Sequence, residues 1–154
     1  MRKVIDEQIK IGEVNIKDIK FDLRSRDEIP KTLIGLQKIF CTPDLREKIF
    51  SLLEEHINPD IDKGTGRPGM NLWKILVLGS IRINSSFDYD KLQEMANQHL
   101  ALRQMLGHSF MDMSYYYPLQ TLKDNVSLLT PELLDKINEV VVKFGLKQTK
   151  KKKS

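Results

Sequence analysis

Four side chains able to read or hold nucleic acid, Gln120, Thr121, Lys123 and Asn125, fall within six consecutive positions of the chain. Gln and Asn can bond the edge of adenine through two hydrogen bonds, and Lys or Thr can hold a guanine edge or a phosphate oxygen. Interleaved with them, Leu119, Leu122 and Val126 recur at helical spacing. This predicts a short helix over about 118–127 with one apolar and one polar face. Preceded by short helices and a tight turn over 88–107, such an element suits a helix-turn-helix, in which one helix braces while another enters the major groove. An ordinary helical bundle with a polar outer surface has the same pattern, and spacing alone does not choose between the two.

Other groups offer weaker chemistry. The run Gly64, Thr65, Gly66, Arg67, Pro68, Gly69 lacks the Gly-Lys-Ser/Thr ending that would place a lysine and a metal-binding hydroxyl on a nucleotide. It reads as a linker, with Arg67 able to touch a DNA backbone as the sharper alternative. The pairs Asp60 with Asp62 and Asp88 with Asp90 fit solvated or helix-capping carboxylates better than a magnesium site. Tyr115, Tyr116 and Tyr117 could stack on bases or pack on the core, and packing fits tyrosine better because it buries the ring while wetting the hydroxyl. Cys41 has no histidine near it in sequence, so no nucleophile, base and oxyanion set can be assembled. A single cysteine allows no intrachain disulfide, and His56, His99 and His108 complete no zinc spacing with it. Neither a metal nor a cofactor is expected.

Positioning these residues falls to an all-α arrangement. Residues 1–27 alternate charges with Ile9, Ile11, Val14, Ile16, Ile19 and Phe21, which predicts a loose arm with one short strand pair. From Pro30, Leu33, Leu36 and Phe40 mark a helix ending at Cys41. Thr42 and Pro43 then cap and start a second, carrying Leu45, Ile49, Leu52 and Leu53. A helical hairpin over 28–57 and a loop over 58–69 follow. The stretch from Leu72 to Ile83 is apolar almost all round, as befits a central helix. Asp88 can cap a helix with Leu92, Met95 and Ala96 on its core face. Gly107 suits the carboxyl end of the next helix, over about 100–106. The last helix has Thr130 as cap, Pro131 at its first position, a Leu129–Leu134 staple and Gly145 at its end. The chain thus divides into an arm (1–27), a helical domain (28–145, of which 70–145 holds the helix-turn-helix-like part) and a basic tail (146–154), which is expected to be disordered.

The 154 residues are 40% hydrophobic and 30% charged, enough apolar mass for one core. No apolar run nears the roughly 20 residues of a membrane helix, and 1–10 lacks a secretory pattern, so a cytoplasmic protein without membrane contact is expected. The net charge of +4 invites a nucleic-acid reading, but five of the 25 basic residues lie in the last eight positions. The rest of the chain holds 20 basic against 21 acidic residues and is nearly neutral. Basic character therefore belongs to the tail, whose phosphate affinity salt would erase and which could equally be a solvated linker.

The stretch from Gly66 to Leu78, GRPGMNLWKILVL, resembles the start of the amino-terminal domain of insertion-sequence transposases with a DDE catalytic core. Three further segments are similar and follow in the family's order: DYDKLQEMANQHLALRQMLG over 88–107, LQTLKDN over 119–125, and LLTPELLDKINEVVV over 128–142. Together they lie within 66–142, about half of the chain.

The resemblance implies a helical domain that recognises the element's terminal inverted repeats. In the family, an RNase H-like domain follows, whose three acidic residues bind magnesium for strand cleavage and transfer. After Gly145 only nine residues remain, five of them lysine, so no strand-borne catalytic aspartate is expected here, and a two-metal mechanism needs converging carboxylates on a rigid sheet. The expectation is a truncated, non-enzymatic DNA-binding chain. Gln120, Thr121, Lys123 and Asn125 would face bases, with Arg67, Arg103, Lys150, Lys151 and Lys152 on phosphates. The other expectation is a protein interaction module that pairs with a full-length transposase, or with its own copy, and takes no small-molecule substrate.

Overall fold

Leu72, Trp73, Ile75, Leu76, Val77, Leu78 and Ile81 leave no side of a helix for water, and the chain resolves this by surrounding them. In the computed structural model, which describes residues 15–21, 24, 28–57, 70–108 and 115–152 (146–152 by backbone alone), they form α3, Leu72–Ser85. All seven are at most 1% exposed. Before α3 lie α1 (Glu28–Cys41) and α2 (Pro43–Ile57). After it come α4 (Tyr89–Gln98), α5 (Leu100–Met105), α6 (Leu119–Val126) and α7 (Pro131–Lys152). The described residues contain no strand, and one 3-10 turn, Ile16–Asp18, precedes α1. α1, α2, α4 and α6 all pack on α3, and α7 lies along α2.

Local chemistry sets the ends of these helices. The Asn71 side chain accepts the Lys74 N–H at 2.8 Å to start α3. Ser86 closes it with φ 55°, while the Phe87 N–H returns to Arg82 O at 2.9 Å. Asp88 caps α4 by accepting the Lys91 N–H, and Thr130 Oγ1 accepts the Leu133 N–H at the start of α7, as their positions predict. Gly107, at φ 89°, ends α5: its own N–H reaches Gln104 O and the next N–H, of His108, reaches Arg103 O, both at 3.0 Å.

Two contacts tie the core together. The Trp73 indole packs against Phe40 of α1 and Phe50 of α2, and its Nε1 donates to Met105 O at 2.8 Å, linking α3 to the end of α5. Gly79 allows a closer approach still. A Cβ there would lie 2.8 Å from Leu129 Cβ and nearer yet to its Cδ2, so the α6–α7 corner sits directly on α3. Leu129 and Leu134, the pair expected to staple the start of α7, are both buried.

Three expectations need correction. Residues 15–21 do not pair as a strand: Ile16 and Ile19 are buried, and the Gln37 amide donates to Ile16 O at 2.8 Å and to Ile19 O at 3.0 Å, holding the turn on α1. The remainder of the proposed strand pair, including Ile9, Ile11 and Val14, lies outside the described residues, as does the 58–69 loop. Thr42 does not turn its hydroxyl onto α2. It donates back to Lys38 O at 2.7 Å, taking up a free carbonyl at the end of α1. Gly145 does not stop α7, which runs on to Lys152. It does not adopt a left-handed conformation, and the residues after it, Leu146, Lys147 and Gln148 among them, favour helix. The basic residues up to Lys152 therefore extend a helix instead of forming the expected disordered tail.

Gly79 and Gly35 should respond oppositely to the same change. Gly79→Ala should lower stability by about 1–3 kcal/mol through overpacking against Leu129. In the middle of α1, Gly35 has nothing within 4 Å of the added Cβ. Gly35→Ala should therefore raise stability by about 0.5–1 kcal/mol. Urea unfolding of the two variants checks this, and equal effects would rule out the close α3 approach.

Candidate functional site

α6 is eight residues long, and its two inward positions, Leu122 and Val126, are fully buried on the side facing α3 and α4. That leaves Gln120, Lys123 and Asp124 exposed, with Thr121 and Asn125 half-buried at the flanks. Gln120 Nε2 donates to Asp124 Oδ1 at 2.8 Å, so two exposed polar groups are held one turn apart along the helix. Lys123 is exposed beside them, one turn on from Gln120.

The residues that place α6 lie on α4. The extended backbone of Tyr117, just before α6, is gripped on both its polar groups. Its N–H donates to Asn97 Oδ1 at 2.7 Å, and its carbonyl accepts from Asn97 Nδ2 at 3.2 Å and Gln93 Nε2 at 3.1 Å. Gln93 also donates to the Tyr116 hydroxyl at 2.9 Å. Below this clamp the Tyr117 ring is fully buried, and its hydroxyl meets His108 Nε2 at 2.5 Å. The Tyr115 ring stacks on His108 with centroids 4.7 Å apart. Of the three tyrosines, Tyr117 packs inward as expected, while Tyr115 and Tyr116 keep exposed faces.

Two residues expected on DNA have work inside the protein. Arg103 is 5% exposed; its Nη1 donates to Ala96 O at 3.0 Å and its Nη2 to Tyr115 O at 3.1 Å. The guanidinium thus sits at the carboxyl end of α4, where terminal carbonyls lack helical partners and the helix dipole favours a cation. This corrects the expectation that Arg103 holds a phosphate. Asn125 bridges backbone on two sides, its Nδ2 donating to Thr121 O at 2.8 Å and its Oδ1 accepting the Met70 N–H at 3.2 Å. Its amide fixes the chain entering α3 to α6. Among the polar residues of α6, Gln120, Lys123 and Asp124 are therefore the ones whose functional groups are exposed without a backbone partner in the described contacts, and of these Gln120 and Lys123 can donate to a base.

Charge around α6 is mixed. Asp88, Asp90 and Glu94 are exposed on neighbouring α4, where Lys91 pairs with Glu94 at 3.4 Å. Lys150, Lys151 and Lys152 belong to the far end of α7, about 30 Å along the helix from Pro131 at a rise of 1.5 Å per residue. By backbone, residues 150–152 thus lie at the opposite end of α7 from the end that follows α6. Arg67, Asp60 and Asp62 lie outside the described residues. Asp88 is engaged as the α4 cap, and among the described residues no three His, Cys, Asp or Glu side chains converge to hold a metal. No described helix is long and apolar enough to cross a membrane. Periodicity did not single out Gln93 and Asn97, although their i, i+4 spacing beside buried Leu92 and Ala96 is a signal that this α4 face is covered. No family model, curated protein or solved structure matches the chain.

The two arginine and lysine positions are distinguished by stability. Arg103→Gln should cost about 2 kcal/mol, since hydrogen bonds from a charged group are lost inside the protein. Lys123→Gln should change stability by less than about 0.5 kcal/mol, as exposed substitutions usually do. Thermal and urea unfolding measure both, and an Arg103→Gln protein as stable as the parent would contradict the internal role.

Proposed function

We propose that this chain is the amino-terminal, DNA-engaging part of an insertion-sequence transposase and that α6 reads the element's terminal inverted repeats. The observation that supports this most is the mounting of α6: a short helix, anchored by Leu122 and Val126 and aimed by the Gln93–Asn97 clamp, with Gln120 and Lys123 on its outer face. At eight residues it is about 12 Å long, matched to a major groove about 12 Å wide. Together with α4 and α5 it is proposed to act as a helix-turn-helix, with α4 as the bracing helix.

In this reading Gln120 exchanges its bond to Asp124 for an adenine edge, and Lys123 meets a guanine edge. Thr121 contributes at the flank, and Asn125 acts through the position of α6, not by touching a base. Arg67 and the lysines Lys150, Lys151 and Lys152 serve phosphates. Strand cleavage is assigned to no residue of this chain.

Selection from a random duplex library, followed by titration of the enriched site, tests the proposal. The parent should enrich one motif, and Gln120→Ala with Lys123→Ala should weaken it about 30- to 1000-fold, two base contacts at about 1–2 kcal/mol each. Removing 146–154 should weaken all sequences alike and flatten the salt dependence while leaving the motif unchanged. Equal binding by the double variant and the parent would dismiss α6 as the reader. Absence of any enriched motif would favour a module that binds protein instead.

A further inference from the structure

Away from α6, where α1, α3 and α7 meet, lies a cleft of about 260 Å³. Leu36, Leu76 and Ile137 supply buried apolar surface to it. Ser80, only 3% exposed, also lines it, and its hydroxyl has no hydrogen-bond partner among the described residues. Burying a hydroxyl in this way is unfavourable unless something else engages it. Asn84 and Asn138 bring two further polar groups, and Lys31 is the one charged side chain among the described lining residues.

Gly35 supplies an independent observation. It lies within α1 and lines the same cleft, where glycine weakens a helix relative to alanine. Neither a close neighbour nor a positive φ requires glycine there, since nothing lies within 4 Å of a built Cβ and its backbone is not left-handed. What the missing side chain does is leave that wall of the cleft open.

We propose that this cleft binds an amphipathic monoanion, a carboxylate on an aliphatic or aryl-alkyl body. The apolar walls would take the body, Ser80 and the two asparagines would supply hydrogen bonds, and Lys31, exchanging its exposed 3.9 Å pairing with Glu28, would draw the charged head. A dry cavity of about 150 Å³ holds benzene, so this cleft suits a body and head of about ten heavy atoms. The inference does not depend on the DNA reading.

Octanoate is a suitable probe and 1-octanol its uncharged counterpart. Titrating octanoate into the 15N-labelled full chain should move the amide signals of Gly35, Ser80 and Asn138 saturably, with Kd on the order of 0.1–1 mM. 1-Octanol should bind several-fold more weakly. Gly35→Leu, which fills the open wall, should abolish binding while the unfolding midpoint stays at or above that of the parent. Lys31→Glu, at an exposed position, should reduce octanoate to the level of octanol. Unsaturable shifts, equal affinity for octanol, or undiminished binding by either folded variant would overturn the proposal.

Discussion

A helix with nine buried positions in fourteen residues has to be enclosed, and the covering of α3 determines where the other helices go. α1 and α2 close one side through Phe40 and Phe50 against Trp73. α4 and α6 close another through Leu92, Leu122 and Val126. The close approach at Gly79 presses the α6–α7 corner onto α3, so the position of α6 follows from core packing before any polar residue acts. Burial of this kind is non-directional, however, and would tolerate some rotation of α6.

Direction comes from hydrogen bonds at the edge of that core. Gln93 and Asn97 satisfy both backbone groups of Tyr117, Arg103 ties Tyr115 to the end of α4, and Asn125 ties α6 to Met70. Each bond uses a backbone group that neither helix nor strand would satisfy, in a segment with no regular structure of its own. The polar residues of this region therefore divide between aiming α6 and facing outward from it. Gln120, Lys123 and Asp124 are left exposed.

The helices were legible in the sequence because their causes are local. Apolar positions at helical spacing marked each element, and Asp88, Gly107 and Thr130 marked ends through bonds reaching no more than a few residues. The roles of Arg103 and Asn125 were not legible in the same way. Their partners are backbone groups, one 55 residues away at Met70, and no period or composition reports such a pairing. Both have the residue types of a DNA contact, which is why chemistry alone placed them on the surface. Thr42 and Gly145 misled for a related reason: each has a common capping role, but the hydroxyl turned to Lys38 and the glycine stayed helical.

The claim that α6 is the outward-facing reader is met most directly by mapping amide signals of the 15N-labelled chain against the duplex obtained by selection. Gln120, Thr121 and Lys123 should show the largest perturbations, with smaller ones across the Gln93–Asn97 clamp and little change in α1 and α2. Perturbations centred elsewhere, with α6 unmoved at saturation, would contradict it.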